Sequence, residues 1–175
     1  PNRRAERRED ILHELSGKHG FHTSRVIDLT HHERADQFLE GTGSLVLDRA
    51  NRIAYACISP RTDLDVLGEF AQRLDYDVVS FEATDASGVP IYHTNVVMSV
   101  GERFAAVCSA SIRETERAGV LETLRKTSHV ILDLSHEQMN AFAGNMLELR
   151  TSNGESVVAA TTDVHGRLRG WEYYA

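Results

Sequence analysis

Among the 175 residues, four polar side chains stand out by type and by place: Glu40, Arg61, His93 and Asn145. Glu40 precedes Gly41-Thr42-Gly43 at the point where the chain enters an apolar strand, His93 precedes the next comparable strand, and Asn145 opens a third. In a radial array of repeated units, equivalent positions face one axis. These three would then set a carboxylate, an imidazole and an amide around one pocket, where burial tunes pKa values. Arg61 lies between a strand and a helix, where a planar donor fork suits bidentate binding of a carboxylate. Taken singly, each has a plainer reading: a solvated loop acid, a hydrogen-bonded strand-edge histidine, a turn asparagine, a surface arginine. Common register turns the first three toward function; for Arg61 spacing leaves the two readings even.

The elements that must position these residues follow a repeat. From Ser44 the pattern predicts a strand (44–48), a turn (49–51), a strand (52–58), a helix (64–74) and a strand (77–81). The helix carries Leu64, Leu67, Ala71 and Leu74 on one face, and Thr62 with Asp65 has capping-box spacing. The same ββαβ order returns with strands at 96–100 and 104–109, a helix at 112–126 opened by Ser111 and Glu114, and a strand at 130–134. A third hairpin is expected at 146–150 and 156–160 around Ser152-Asn153-Gly154. A period near 50 residues marks a propeller or array, in which no unit buries its apolar faces without neighbours. An amphipathic helix at 4–15, with Ile11, Leu12 and Leu15, and a strand at 25–29 read as the back half of an earlier unit; residues 163–175 stop before a further helix and strand. The chain is therefore expected to be an internal piece of a longer protein, a cleavage product, or one part of an assembly that another chain completes.

Bulk properties exclude several function classes. A net charge of −7 gives no long-range attraction for nucleic acid or an anionic membrane. Arg3, Arg4, Arg7 and Arg8 interleave with Glu6, Glu9 and Asp10 at helical spacing, which reads as a solvated helix face. No stretch approaches the ~18 consecutive apolar residues of a membrane span, and a soluble, cytoplasmic protein is expected. Cys57 and Cys108 occupy matching places on the second strands of two units, as core packing would have them, and neither is expected to be a nucleophile. His31-His32-Glu33 with Asp36 and Glu40 has the residue types of a metal site. On an extended chain adjacent side chains point to opposite sides, however, and no His-Glu-x-x-His spacing exists, so no metal and no cofactor is expected. Phosphate-loop and Gly-x-Ser-x-Gly patterns are absent.

Phe38-Leu39-Glu40-Gly41-Thr42-Gly43-Ser44-Leu45-Val46-Leu47, then Ile58-Ser59-Pro60-Arg61-Thr62, then Tyr92-His93-Thr94-Asn95, resembles the guanidino-group-modifying enzyme superfamily. Its fold is the five-bladed ββαβ pentein propeller, and its members include arginine deiminase, dimethylarginine dimethylaminohydrolase and the amidinotransferases. Asn2-Arg3-Arg4 and Phe142-Ala143-Gly144-Asn145-Met146-Leu147-Glu148-Leu149 look most like its bacterial amidinotransferase-like or citrulline hydrolase-like branch. The resemblance implies an α/β fold with about three blades present: residues 1–30 as the back half of one, 38–82 and 92–135 as whole blades, and 143–175 as the start of another. It implies that Glu40 orients the catalytic acid and base His93, and that Arg61 holds the substrate carboxylate. Asn95 falls where several members carry an aspartate that pairs with the guanidinium; an amide there favours a neutral ureido group such as citrulline's. Asn145 is expected to bind substrate. The family nucleophile is a cysteine near the C-terminus, in a blade outside this sequence. The expected activity is cysteine-dependent C–N hydrolysis of a ureido or guanidino amino acid through a covalent thiol intermediate. The alternatives are an amidinotransferase of the same fold and a non-catalytic binding module. A small amino-acid substrate, further blades from missing segments or another chain, and a homo-oligomer are the expected partners.

Overall fold

The computed structural model describes residues 8–160. In chain order its elements are α1 (Glu9–His19), a 3-10 turn (Thr30–Ala35), the one-turn helix α2 (Gly41–Ser44), β1 (Leu45–Asp48), β2 (Ile53–Cys57), α3 (Leu64–Leu74) and β3 (Asp77–Phe81). There follow the one-turn helix α4 (Thr94–Val97), β4 (Met98–Val100), β5 (Phe104–Val107), a short 3-10 turn (Ser109–Ser111), α5 (Glu114–Lys126), β6 (Val130–Asp133), α6 (His136–Asn140), β7 (Leu147–Arg150) and β8 (Ser156–Ala159). β2 pairs antiparallel with β1 and parallel with β3; β5 does the same with β4 and β6. Two complete ββαβ units and the hairpin β7–β8 are thus present, in the order that the repeat predicts.

The middle strand of each unit is buried on both faces, and period-2 alternation divides its side chains between two layers. Ile53, Tyr55 and Cys57 of β2 enter a core shared with Phe81, Val97, Met98, Ala105, Ala106 and Val107, so the two units are joined by one apolar interior. Ala54 and Ala56 face the other way, against Leu67 of α3 and Leu45, with Phe70 and Tyr76 packed alongside. Alanine at both places lets the helix lie close to the sheet. Tyr55, Phe81, Leu67, Met98 and Leu124 are among the largest side chains fully buried, and the burial of Phe81, Leu67, Met98 and Leu124 is worth roughly 1.5–3 kcal/mol of transfer free energy each. Buried polar groups tie the units as well: His129 Nε2 donates to Gly101 O at 3.1 Å and lies 3.7 Å from Asp48 Oδ2 of the first unit. Asp48 also accepts from Asn51 N, at 3.0 Å, and so shapes the β1–β2 turn.

Several local expectations are corrected. Asp63, not Thr62, caps α3; its backbone is extended and its carboxylate accepts from Asp65 N at 2.8 Å and Val66 N at 3.4 Å. Thr62 is instead buried, in bridges to Leu39 and Ser59. Leu64 points to solvent, and the buried face of α3 begins at Val66 and Leu67. α5 starts at Glu114, because the Ser111 hydroxyl is turned away to Cys108 Sγ (3.3 Å) and His136 Nδ1 (3.2 Å) and offers no cap. Strand 96–100 shortens to Met98–Val100, since Val96 and Val97 are spent on the α4 turn. The predicted strand at 25–29 does not form; among the described residues it pairs with no strand, Val26 is exposed, and Arg25 reaches across to Arg73 O at 3.0 Å. The N-terminal helix runs to His19, with Ile11, Leu12 and Leu15 all exposed, so among the described residues nothing covers its apolar face. Leu147, Leu149, Val157 and Val158 of the last hairpin are exposed too. Residues 4–7 of the predicted helix and the segment 163–175 lie outside the described residues. Among the described residues, no helix is long and apolar enough to cross a membrane.

The loop entering β7 depends on one close approach. A Cβ on Gly144 would lie 2.3 Å from Val96 O, so the backbones touch where a methyl group has no room. Gly144→Ala should cost about 1–3 kcal/mol of stability through overpacking, read as a lower urea midpoint in circular dichroism; an unchanged midpoint would show that the loop is not held against α4.

Candidate active site

The two one-turn helices α2 and α4 occupy the same place in successive units, each leading directly into a first strand. Glu40 is the N-cap residue of α2 and His93 that of α4. The chain turns into α2 through Gly41, whose φ of +50° is a left-handed conformation that glycine adopts without a Cβ penalty. Matching register thus puts the two side chains at the same end of adjoining units.

Two buried hydroxyls hold the turns in alignment. Ser44 Oγ donates to Arg61 O at 2.7 Å and accepts from Glu40 N at 2.8 Å. Thr94 Oγ1 donates to Ser44 O at 2.5 Å and accepts from Cys57 N at 2.7 Å. Both residues are fully buried, so each lost partner would leave a desolvated polar group costing roughly 1–3 kcal/mol. Ser59 Oγ adds a third link, donating to Tyr92 O at 2.9 Å and accepting from Arg61 N at 3.1 Å. Loops 40–44, 59–62 and 92–94 are therefore a single hydrogen-bonded frame.

On that frame Glu40, His93 and Arg61 meet. His93 Nε2 lies 3.0 Å from Glu40 Oε2 and, facing an acceptor-only carboxylate, carries the donating proton. Nδ1 is then the nitrogen with a lone pair. Arg61 Nη1 donates to both oxygens of the same carboxylate, at 2.8 and 3.0 Å. The His93 and Glu40 side chains are 18% and 21% exposed and Arg61 43%, so the pair is sheltered and the guanidinium reaches solvent. Tyr92 flanks both: its ring centroid is 4.6 Å from that of His93, edge-on, and 5.4 Å from the Arg61 guanidinium carbon. Burial by itself would raise the pKa of Glu40. The hydrogen bonds from His93 and Arg61 and their charges outweigh it and hold the carboxyl below its ordinary value.

The other expected site residues are placed differently. Asn95 is half-buried at the second position of α4, and Asn145 is exposed beside Gly144; among the described residues neither amide hydrogen-bonds to Glu40, Arg61 or His93. Cys57 and Cys108 are fully buried. Burial pushes the Cys57 thiol up to about 11, and its Sγ donates to Ile91 O at 3.3 Å, so it is no ready thiolate.

Sequence reasoning missed the frame itself. Ser44 and Thr94 gave no signal beyond being small hydroxyl residues near an acid and a histidine. Gly43 had one: a second glycine beside the acid. A Cβ there would lie 2.9 Å from His93 Cδ2 and Nε2, so the bare Gly43 surface is the seat of the imidazole ring. A cluster of side chains of metal-ligand type was also missed. Residues 30–35 form a 3-10 turn and not an extended chain, and His31 and His32 both face Glu69.

Known proteins share the fold. The structure is similar to a substrate-bound N-terminal domain of ArgZ, an arginine dihydrolase from the ornithine–ammonia cycle in cyanobacteria, with a TM-score of 0.56 and 19% identity over 79% of this chain and 47% of that one. It is similar to the apo structure of ArgZ, with a TM-score of 0.59 and 19% identity over 84% of this chain and 22% of that one. It is also similar to AgrE in complex with L-arginine, with a TM-score of 0.56 and 17% identity over 91% of this chain and 23% of that one. The chain spans about half the length of the first of these structures and less than a quarter of the others. No curated protein sequence matches it. The model of the family described as N,N dimethylarginine dimethylhydrolase, eukaryotic, matches residues 1–169. With that match over nearly the whole sequence, the chain belongs to the dimethylarginine dimethylhydrolase family and so to the pentein superfamily.

Proposed function

We propose that the chain carries the acid–base half of a cysteine-dependent hydrolase that cleaves a C–N bond of a guanidino amino acid, arginine or an N-methylated arginine. The observation that carries this reading is the 3.0 Å contact of His93 Nε2 with Glu40 Oε2, on a carboxylate that Arg61 also grips. Family membership and the arginine-acting structural relatives support it. In this reading residues 38–82 and 92–135 are blades of a five-bladed ring in a cytoplasmic enzyme. Its remaining blades and nucleophilic thiol come from outside the chain, since Cys57 and Cys108 are committed to the core.

The chemistry assigns a task to each residue. The thiolate adds to the guanidinium carbon, forming a C–S bond. The C–N bond then breaks, and the departing amine takes a proton from His93. His93 next removes a proton from water, which attacks the same carbon; the C–S bond breaks and a ureido product leaves. Glu40, ionised throughout neutral pH, stabilises the imidazolium at each stage and fixes which nitrogen faces the substrate. Arg61 spends Nη1 on Glu40 and offers the rest of its fork to the substrate carboxylate. Asn95 favours a second substrate class: a neutral amide suits a ureido group better than a cationic guanidinium. An amidinotransferase would use an acceptor amine in place of water at the second step.

In the full-length protein, His93→Ala should abolish amine release from arginine analogues and leave the fold intact; normal turnover would remove His93 from the mechanism. Gly43→Ala is conformationally allowed and should displace the ring, lowering kcat about tenfold or more with little change in stability. If kcat is unaffected, Gly43 does not seat the imidazole. Arg61→Ala should raise KM about tenfold or more, the loss of a charge-assisted contact, with a smaller fall in kcat; an unmoved KM would return Arg61 to a purely structural role. Because the pKa of Glu40 is lowered on folding, its stabilisation is complete above its ordinary value of 4.5 and is lost as pH falls through the folded value. The stability gap between the wild type and Glu40→Gln should therefore be flat at neutral pH and narrow in acid. A gap that widens in acid would contradict the ion pair.

A further inference from the structure

We propose that His31, His32 and Glu69 bind a divalent first-row transition-metal ion of the zinc type, at a place that takes no part in the Glu40–His93 chemistry. The 3-10 turn Thr30–Ala35 brings the two imidazoles together with centroids 4.2 Å apart and ring planes inclined by 34°. Glu69, on α3, meets both: its Oε2 is 3.0 Å from His31 Nε2 and 2.8 Å from His32 Nε2. One ligand atom from each residue lies within 4.8 Å of the others, and among the described residues no other group of His, Cys, Asp and Glu side chains does this.

The hydrogen-bond inventory around the cluster suits a cation at its centre. Gln37 Nε2 donates to Asp65 Oδ2 at 2.7 Å, which turns Gln37 Oε1 toward His32 Nδ1 at 3.3 Å. An amide oxygen only accepts, so Nδ1 carries the hydrogen. A neutral His32 then aims the Nε2 lone pair at a carboxylate oxygen that is itself an acceptor. A proton on Nε2 of His32 satisfies that pair, with His31 donating to the same oxygen as its Nε2–H tautomer; a metal ion is the alternative. A metal ion satisfies both imidazoles and the carboxylate together.

The surroundings resemble the outer shell of a metal site. The Nδ1 of His32 has an oxygen partner, as metal-bound histidines commonly do, and Glu69 Oε1 is oriented by Arg73 Nη2 at 3.0 Å. Two nitrogens and one carboxylate suit zinc, nickel, cobalt or copper, whereas calcium and magnesium take oxygen ligands. The His32 and Glu69 side chains are 16% and 19% exposed and His31 is 53% exposed, so two ligands form a sheltered wall and the third leaves an open side where water can complete a tetrahedron. Metal–ligand bonds of about 2.0–2.1 Å need donor atoms a few tenths of an ångström farther apart than they stand. The exposed His31 ring makes that adjustment on its side, and the sheltered His32–Glu69 pair must open from 2.8 Å by a similar amount.

The test is zinc titration of the intact protein at neutral pH in a non-coordinating buffer, by calorimetry and by competition with a chromogenic chelator. One equivalent should bind with a Kd of micromolar or tighter, and the thermal midpoint should rise with added zinc. His31→Ala, at an exposed position that the fold tolerates, should weaken binding at least tenfold, and His32→Ala with Glu69→Ala should abolish it. Gln37→Leu should weaken it about tenfold or more through loss of ring orientation. No saturable zinc binding by the wild type, or equal binding by His31→Ala, would overturn the proposal and leave the cluster an ion pair that fastens the turn to α3.

Discussion

The hydrogen bond from Thr94 Oγ1 to Ser44 O is the constraint on which the arrangement rests. It is buried, crosses from the second unit to the first, and joins the turn that ends in β1 to the turn that starts at His93. With Cys57 N donating to the same hydroxyl, it fixes the second unit against the middle strand of the first. A carboxylate and an imidazole placed 53 residues apart in sequence are thereby brought within reach of each other. Such a bond gains little net free energy when made, but breaking it strands polar groups in the core. That asymmetry is what makes it a constraint.

The apolar interior acts in the same direction. β2 gives Ile53, Tyr55 and Cys57 to a core common to both units, so neither unit can rotate about the other without opening that core. Close packing converts this into positional precision, and the close approach of Gly144 to the α4 backbone extends it to the loop before β7. The two cysteines belong to this interior. Their equivalence in the repeat is an equivalence of packing, and a thiol pushed up to about 11 by burial, as in Cys57, is chemically quiet.

Electrostatics at the site follows from sharing. One carboxylate, Glu40, serves an imidazole and a guanidinium, and their combined pull overcomes the desolvation that would otherwise favour its neutral form. A charged Glu40 in turn holds the His93 imidazole at 3.0 Å. Arg61 is thereby both a neighbour of the acid and a group that reaches solvent beside Tyr92. The same logic recurs at Glu69, where one carboxylate faces two imidazoles and an arginine.

By itself the sequence determined the repeat and most of what the repeat implies. Period-2 and period-3.6 patterns located β2, α3, β3, β5 and β6 to within a residue or two, because burial of alternate or periodic side chains is a local property of the chain. The equal offset of Glu40 and His93 from their strands brought both to notice, and the position of Arg61 after a strand gave it a place beside them. Tertiary structure alone decided the rest. Which of Thr62 and Asp63 caps α3 depends on which is buried. Whether 25–29 is a strand depends on an edge to pair with, and whether His31 and His32 diverge or converge depends on a 3-10 turn that their composition does not announce. The Ser44–Thr94 clamp and the seat of His93 on Gly43 arise from contacts about 50 residues apart. Nothing local records those contacts, since their energy exists only once both turns are desolvated together.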